Sequence, residues 1–197
     1  MYITLSSALS GTYQNAMAAL NMAEFDGGFV VDSRNATAGQ RLLVQEAVRL
    51  RDEGKSAAEI VAGVEAIRDR VVLYACLDTL EYLYRCGRIS RTSYAVGSIA
   101  QIKPIISIDL MGAVAVPAKA MGMRKGMDFL CKQVQVRQPD GDYPFYVVYS
   151  GNCENGEMLV QRLREQGIVV DDAHILNVGA AIGSHVGANV CGLVYIH

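Results

Sequence analysis

Short apolar strands alternating with amphipathic helices predict an α/β protein, and a change of rhythm near residue 70 predicts two domains. In the first part every strand is separated from the next by a helix, which implies mostly parallel pairing. After Arg70, two short apolar runs flank a Met111-Gly112 turn, which implies an antiparallel hairpin and therefore a mixed sheet. The chain has 197 residues, 51% of them hydrophobic and 19% charged, enough for one large or two small buried cores. The predicted architecture is a parallel-sheet N-terminal domain over residues 1–70 and an α/β domain with a mixed or antiparallel sheet over residues 71–197.

Each element has its own signal. Met1–Leu5 is a short apolar strand, and Ser6–Gly11 a Ser/Gly turn. Thr12–Phe25 places Ala16, Met17, Leu20 and Ala23 on one helical face. Phe29–Asp32 reads as a buried strand and Thr37–Glu53 as a helix stopped by Gly54. Ser56-Ala-Ala-Glu59 is a capping box opening a helix with Ile60, Val61, Val64 and Ile67 inward. Val71–Cys76 is a strand, Asp78–Arg85 a short helix ended by Gly87, and Ser90–Ile102 a further helix. Ile105–Asp109 and Val114–Pro117 form the hairpin, followed by a helix near Arg124–Val136. The Pro-Asp-Gly turn within Arg137–Tyr143 leads to the strand Phe145–Tyr149. Helix Glu154–Gln166, strand Ile168–Ile175, a Gly-spaced helix and strand Val190–Ile196 complete the chain.

Composition narrows the function classes. The abundance of apolar residues with a net charge of only −2 excludes a disordered chain. It also argues against a nucleic-acid binder, which needs a basic excess to neutralise phosphates. The cysteines, Cys76, Cys86, Cys131, Cys153 and Cys191, contain no CxxC pair and read as small hydrophobes of a reducing cytoplasm. The start, MYITLSSALSG, has no cationic region of the kind a signal peptide carries. Residues 173–197 hold no charged side chain and place Gly179, Gly183 and Gly187 at GxxxG spacing. Asn177, Ser184, His185 and Asn189 interrupt that stretch, so close helix packing in a soluble core is expected rather than a membrane span.

The segment richest in chemistry is Ser6-Ser7-Ala8-Leu9-Ser10-Gly11-Thr12, set between a strand end and a helix start. Such a position offers amides, a positive dipole end and hydroxyls to a carboxylate or phosphate, and lies where parallel sheets bind ligands. The alternative is that Ser10 merely caps the helix. Asp32-Ser33-Arg34 also ends a strand; the segment, Ser33 above all, either extends a pocket rim or is a turn satisfied by Ser33 or Asn35. His185 sits in Gly183-Ser-His-Val-Gly187, where backbone can approach a ligand, or else is a hydrogen-bonded structural residue. Arg85, Arg88 and Arg91 recur every third residue, as an anion or partner-docking patch or as solvated dipole partners. No GxxxxGK[ST] loop, no GxSxG elbow and no metal-ligand spacing occurs.

In this order the segments resemble the DegV family of bacterial fatty-acid-binding proteins. The matching pieces are Leu5-Ser-Ser-Ala-Leu-Ser-Gly-Thr-Tyr-Gln14, Val31-Asp-Ser-Arg34, Ala38-Gly-Gln40 and Leu80-Glu-Tyr-Leu83 followed by Gly87-Arg-Ile-Ser90. Lys103-Pro-Ile-Ile-Ser-Ile-Asp109 and Ile182-Gly-Ser-His-Val-Gly187 complete the set. The resemblance implies a two-domain DegV-like fold with a long acyl chain buried between the domains and no other cofactor. It implies that Ser7, with Ser6, Ser10 and Gly11 beside it, meets the acyl carboxylate, and that His185 matches the family's C-terminal pocket histidine. It also implies a partner, since family members serve as binding subunits of an ATP-dependent fatty-acid kinase.

The chain departs from the family pattern at identifiable places. The N-terminal Asp-Ser strand motif and Thr-Ser-Gln-Pro turn are missing, so the N-terminal domain reads as truncated and a homo-oligomer covering the gap is expected. The basic Arg-x-Arg-Lys segment begins with Gly122 and keeps Arg124 and Lys125, which bears on partner docking by Arg124. Gly187-Ala188-Asn189 stands where Gly-Pro-Gly is usual. The function expected is a non-catalytic lipid carrier. The alternatives are a phosphotransfer or small-phosphosubstrate enzyme subunit acting at the same turn, and a truncated remnant that binds nothing.

Overall fold

The computed structural model describes residues 1–95 and 101–197. These form two compact units, Met1–Val71 with Ile108–Ala113, and Val72–Ser107 with Val114–His197. The tip of the expected hairpin thus belongs with the first unit, although its strands belong with the second.

In the first unit, β1 (Tyr2–Thr4) and β2 (Val30–Asp32) pair in parallel, with Ile3 opposite Val31. Between them lies α1 (Thr12–Met22), and after them α2 (Thr37–Asp52) and α3 (Ala57–Arg68) pack on each other. Leu42, Leu43, Ile60, Val64 and Ile67 are buried, as helical spacing requires. The capping box of α3 forms: Ser56 accepts the Glu59 amide while the Glu59 carboxylate accepts the Ser56 hydroxyl and amide, which lower the Glu59 pKa in that order of importance. The carbonyl of Ile3, which points away from β2, accepts a 3.0 Å bond from Gln40 Nε2. On the expected face of α1, Ala16, Met17 and Leu20 are half-buried and Ala23 is exposed, and no residue of the helix is fully buried. Met22 and Phe25 lie exposed at its end.

The second unit holds a six-stranded mixed sheet ordered β5-β4-β3-β8-β6-β7, built from β3 (Val71–Cys76), β4 (Ile102–Ile108), β5 (Val114–Met121), β6 (Tyr146–Ser150), β7 (Ile175–Asn177) and β8 (Val190–Ile196). β3–β4 and β6–β8 are antiparallel, and β6–β7 is parallel. β8 is buried along its whole length, the reason it reads as an unbroken apolar run rather than an alternation. Cys191, Leu193 and Tyr195 join the core under α6 (Met123–Val136) and α7 (Glu154–Glu165). On the other face Val190 meets Leu80 and Leu83, beside α4 (Glu81–Arg85), α5 (Arg91–Ala95) and α8 (Ala180–Val186). Gly192 is required by packing, since a Cβ there would stand 2.7 Å from the Tyr74 carbonyl.

Several expected boundaries are corrected. The helix drawn over Ser90–Ile102 is Arg91–Ala95; residues 96–100 lie outside the described residues, and Ile102 opens β4, paired into the sheet. The strand drawn from Ile168 begins only at Ile175, because Asp171 caps a 3-10 turn over Asp172–His174 by accepting the Ala173 amide. The Gly-spaced segment is a seven-residue helix with no buried residue, not a core helix. Its Gly187 instead lies on the ring of Tyr82, where a Cβ would approach Cε2 to 2.6 Å.

The cysteines are all free, and Cys76, Cys131 and Cys191 are buried. Burial pushes the Cys76 thiol up to about 12 and raises Cys131 and Cys191 as well. Iodoacetamide at mildly alkaline pH should therefore modify exposed Cys153 and half-buried Cys86 in the native protein, and the other three only after guanidinium unfolding. Labelling of Cys76 or Cys191 at the native rate of Cys153 would contradict this packing.

Candidate functional site

The turn between β1 and α1 is built by satisfying its own polar groups. Ser6 is fully buried; its hydroxyl donates to the Gly112 carbonyl at 2.7 Å and accepts the Ala8 amide at 3.2 Å. The Ser6 amide donates to the Asn35 carbonyl at 2.8 Å, and its carbonyl accepts the amides of Leu9 and Ser10. The Ser7 amide donates to Asp32 Oδ1 at 3.1 Å. Thr12, the first residue of α1, donates its amide to Ser10 Oγ at 3.3 Å, and the two hydroxyls lie 2.8 Å apart. The N-cap of α1 is Gly11, which is exposed and makes no side-chain cap.

This geometry sorts the expected site residues. Ser6 is not a ligand donor here: its one proton is committed to Gly112, so it is a structural joint. Ser33 is not a pocket rim either, being fully buried with its hydroxyl donating to the Asn35 carbonyl and accepting the Asn35 amide, both at 3.1 Å. Ser7 is half-buried, and its hydroxyl has no hydrogen-bond partner among the described residues. The Ser10–Thr12 pair keeps one proton to spare, since only one of the two hydroxyls donates to the other. The amides of Ser6 to Ser10 are all spent inside the protein, so between β1 and Gly11 the turn offers hydroxyls.

In the second unit, His185 stands on α8, half-buried, and its Nδ1 is enclosed with no hydrogen-bond partner among the described residues. A buried nitrogen without a partner is costly and marks a place where a ligand or water would be bound. Arg85 is exposed and paired with Glu81 at 2.5 Å, while Arg88 donates to the Cys86 carbonyl. Arg91 and Arg124 are exposed at the starts of α5 and α6. Gly122, where the family pattern has Arg, is the N-cap of α6 with φ of 82°, a region glycine enters without penalty. Lys103 pairs with Asp78 at 2.5 Å. Among the described residues no group of His, Cys, Asp or Glu is placed to hold a metal, and no helix is long and apolar enough to cross a membrane.

Sequence inspection missed two participants. Gly112 was legible only as a turn residue; its contact with Ser6 joins positions 106 apart. Asp32 was read as part of a rim, whereas its carboxylate accepts the amides of both Ser7 and Arg34. The aspartate ending a strand before a Ser-x turn is the one signal that pointed there.

An α/β architecture of two units with a serine turn after its first strand is the arrangement of a known family. A family model described as "Uncharacterised protein, DegV family" matches residues 1–197. A DegV domain-containing protein of Clostridium perfringens is 33% identical over 201 residues, which cover 100% of this chain and 69% of that protein. The chain belongs to the DegV family. Among solved structures, a Thermus thermophilus DegV family protein described for its fatty acid binding is 30% identical, with a TM-score of 0.83 over 98% of this chain and 69% of that one. The fold is shared with the Streptococcus pneumoniae fatty acid kinase B3 protein loaded with linoleic acid, at 21% identity and a TM-score of 0.83 over 98% of this chain and 70% of that one.

Gly112 has φ of +81°, and a Cβ there would stand 2.2 Å from Ser6 Oγ and 3.0 Å from the Arg34 Cα. Gly112→Ala should cost at least the ~1–2 kcal/mol of a left-handed alanine, read as a lower urea midpoint, with further loss from displaced Ser6. An unchanged midpoint would show that the Ser6–Gly112 contact does not hold the turn.

Proposed function

We propose that this chain binds a long-chain fatty acid without chemically changing it, holds its carboxylate through Ser7 with Ser10 and His185 as further donors, and presents it to a separate ATP-dependent kinase subunit. The observation that carries the reading is the Ser7 hydroxyl, left without a partner among the described residues on a turn whose amides from Ser6 to Ser10 are spent. Similarity to fatty-acid-binding members of the family supports it. A carboxylate needs few donors for orientation while its apolar tail supplies affinity. For His185 the support is its Nδ1, enclosed and without a partner among the described residues.

Linoleic acid should raise the melting temperature and appear as one bound molecule by native mass spectrometry, with stabilisation of about 2.7 kcal/mol at one hundred times Kd. Ser7→Ala should weaken carboxylate binding by about 1–2 kcal/mol, and His185→Gln by a comparable amount. Absence of both a melting shift and a bound lipid would remove the proposed function, while unchanged affinity in Ser7→Ala would remove Ser7 from it.

The exposed guanidinium groups of Arg85, Arg88, Arg91 and Arg124 are assigned to docking the kinase subunit. Combined Arg91→Glu and Arg124→Glu should leave linoleic acid binding intact and slow its phosphorylation by a fatty-acid kinase subunit. Phosphorylation at the wild-type rate would place the docking surface elsewhere.

A further inference from the structure

Asp32 ends β2, and one of its oxygens joins two loops. Oδ1 accepts the Ser7 amide at 3.1 Å and the Arg34 amide at 2.9 Å. The consecutive amides of Ser6, Ser7 and Ala8 take separate acceptors, the Asn35 carbonyl, the Asp32 carboxylate and the Ser6 hydroxyl. Of these three only the acceptor of Ser7 is an ionisable side chain, and Ser7 is the residue whose hydroxyl is left over. The bond to Arg34 closes a two-residue side-chain turn and supports a non-glycine residue held at φ of 48°. Carboxylate-to-amide bonds are stronger than neutral ones, so a single side chain sets both loops.

We propose that Asp32 is the positioning residue of this site, holding the backbone of Ser7 so that its hydroxyl, and not its amide, is the donor offered to the ligand. This rests on the reading of Ser7 as a contact of the ligand carboxylate. Asp32 itself need not touch the ligand. It removes an amide that would otherwise be free to turn, and so presents a donor whose orientation is settled before binding. Ser33 does not share this role, because its hydroxyl is closed on Asn35 within the same loop.

The test is a double-substitution cycle read with two probes, linoleic acid and its methyl ester, which lacks the anionic head. Asp32→Ala should lower acid affinity about tenfold and leave ester affinity unchanged. Asp32→Asn, whose carboxamide oxygen can accept the same two amides, should stay within about threefold of wild type. Ser7→Ala combined with Asp32→Ala should bind the acid no more weakly than Ser7→Ala alone, because the second change acts only through the first. If Asp32→Ala does not fold, Asp32→Ser takes its place, its hydroxyl still able to cap Arg34 but one bond shorter toward Ser7. Effects that multiply in the double variant, equal losses for acid and ester, or wild-type binding by Asp32→Ala would each overturn the proposal while leaving Ser7 at the site. Wild-type acid affinity in Ser7→Ala would overturn the Ser7 reading itself, and Asp32 with it.

Discussion

The hydroxyl of Ser6 is the joint on which the serine turn depends. It is fully buried, gives its proton to the Gly112 carbonyl, and receives the amide of Ala8. A buried hydroxyl left unpaired would cost one to several kilocalories per mole, about 1–3 by mutational measures, so the two segments are held together by the penalty of separating them. The hairpin tip can come close enough only because Gly112 has no side chain. From this joint follow the bends at Leu9 and Ser10, whose amides close on the Ser6 carbonyl, and the entry of the chain into α1.

The same accounting explains why the turn presents so little. The amides of the turn, from Ser6 to Ser10, and the first amide of α1 are satisfied by Ser6, Ser10, Asp32 and Asn35. What survives is a side-chain hydroxyl on a braced backbone. Such a site orients a head group and contributes modest energy, leaving affinity to apolar contact. That division suits a carrier, which must release its cargo, better than it suits a catalyst, which must hold a transition state more tightly than its substrate.

The second unit rests on a different constraint, the complete burial of β8. Its neighbours β3 and β6 lie on either side, helices cover both faces, and Gly192 admits the Tyr74 backbone. Cysteines at Cys76, Cys131 and Cys191 pack as apolar groups, and burial keeps their thiols protonated. His185 stands apart from this economy, since its enclosed Nδ1 is, among the described residues, one of the buried polar atoms left without a partner.

Much of this was legible in the amino-acid order. Periodicity located β3, β8 and the helices α2, α3, α6 and α7 to within a residue or two, because each buries a regular stripe or an unbroken run. The capping box at Ser56 was equally plain, since cap and acceptor lie three residues apart. Local signals failed where a distant partner decided the outcome. Ile102 became a strand by pairing within the sheet. At the site, the sequence singled out a cluster of hydroxyls and the resemblance gave it a ligand class. Which hydroxyl stayed free was settled by contacts spanning 25 positions to Asp32 and 106 to Gly112. Residue type sets what a side chain can donate or accept, and only the folded chain determines which of those capacities is already used.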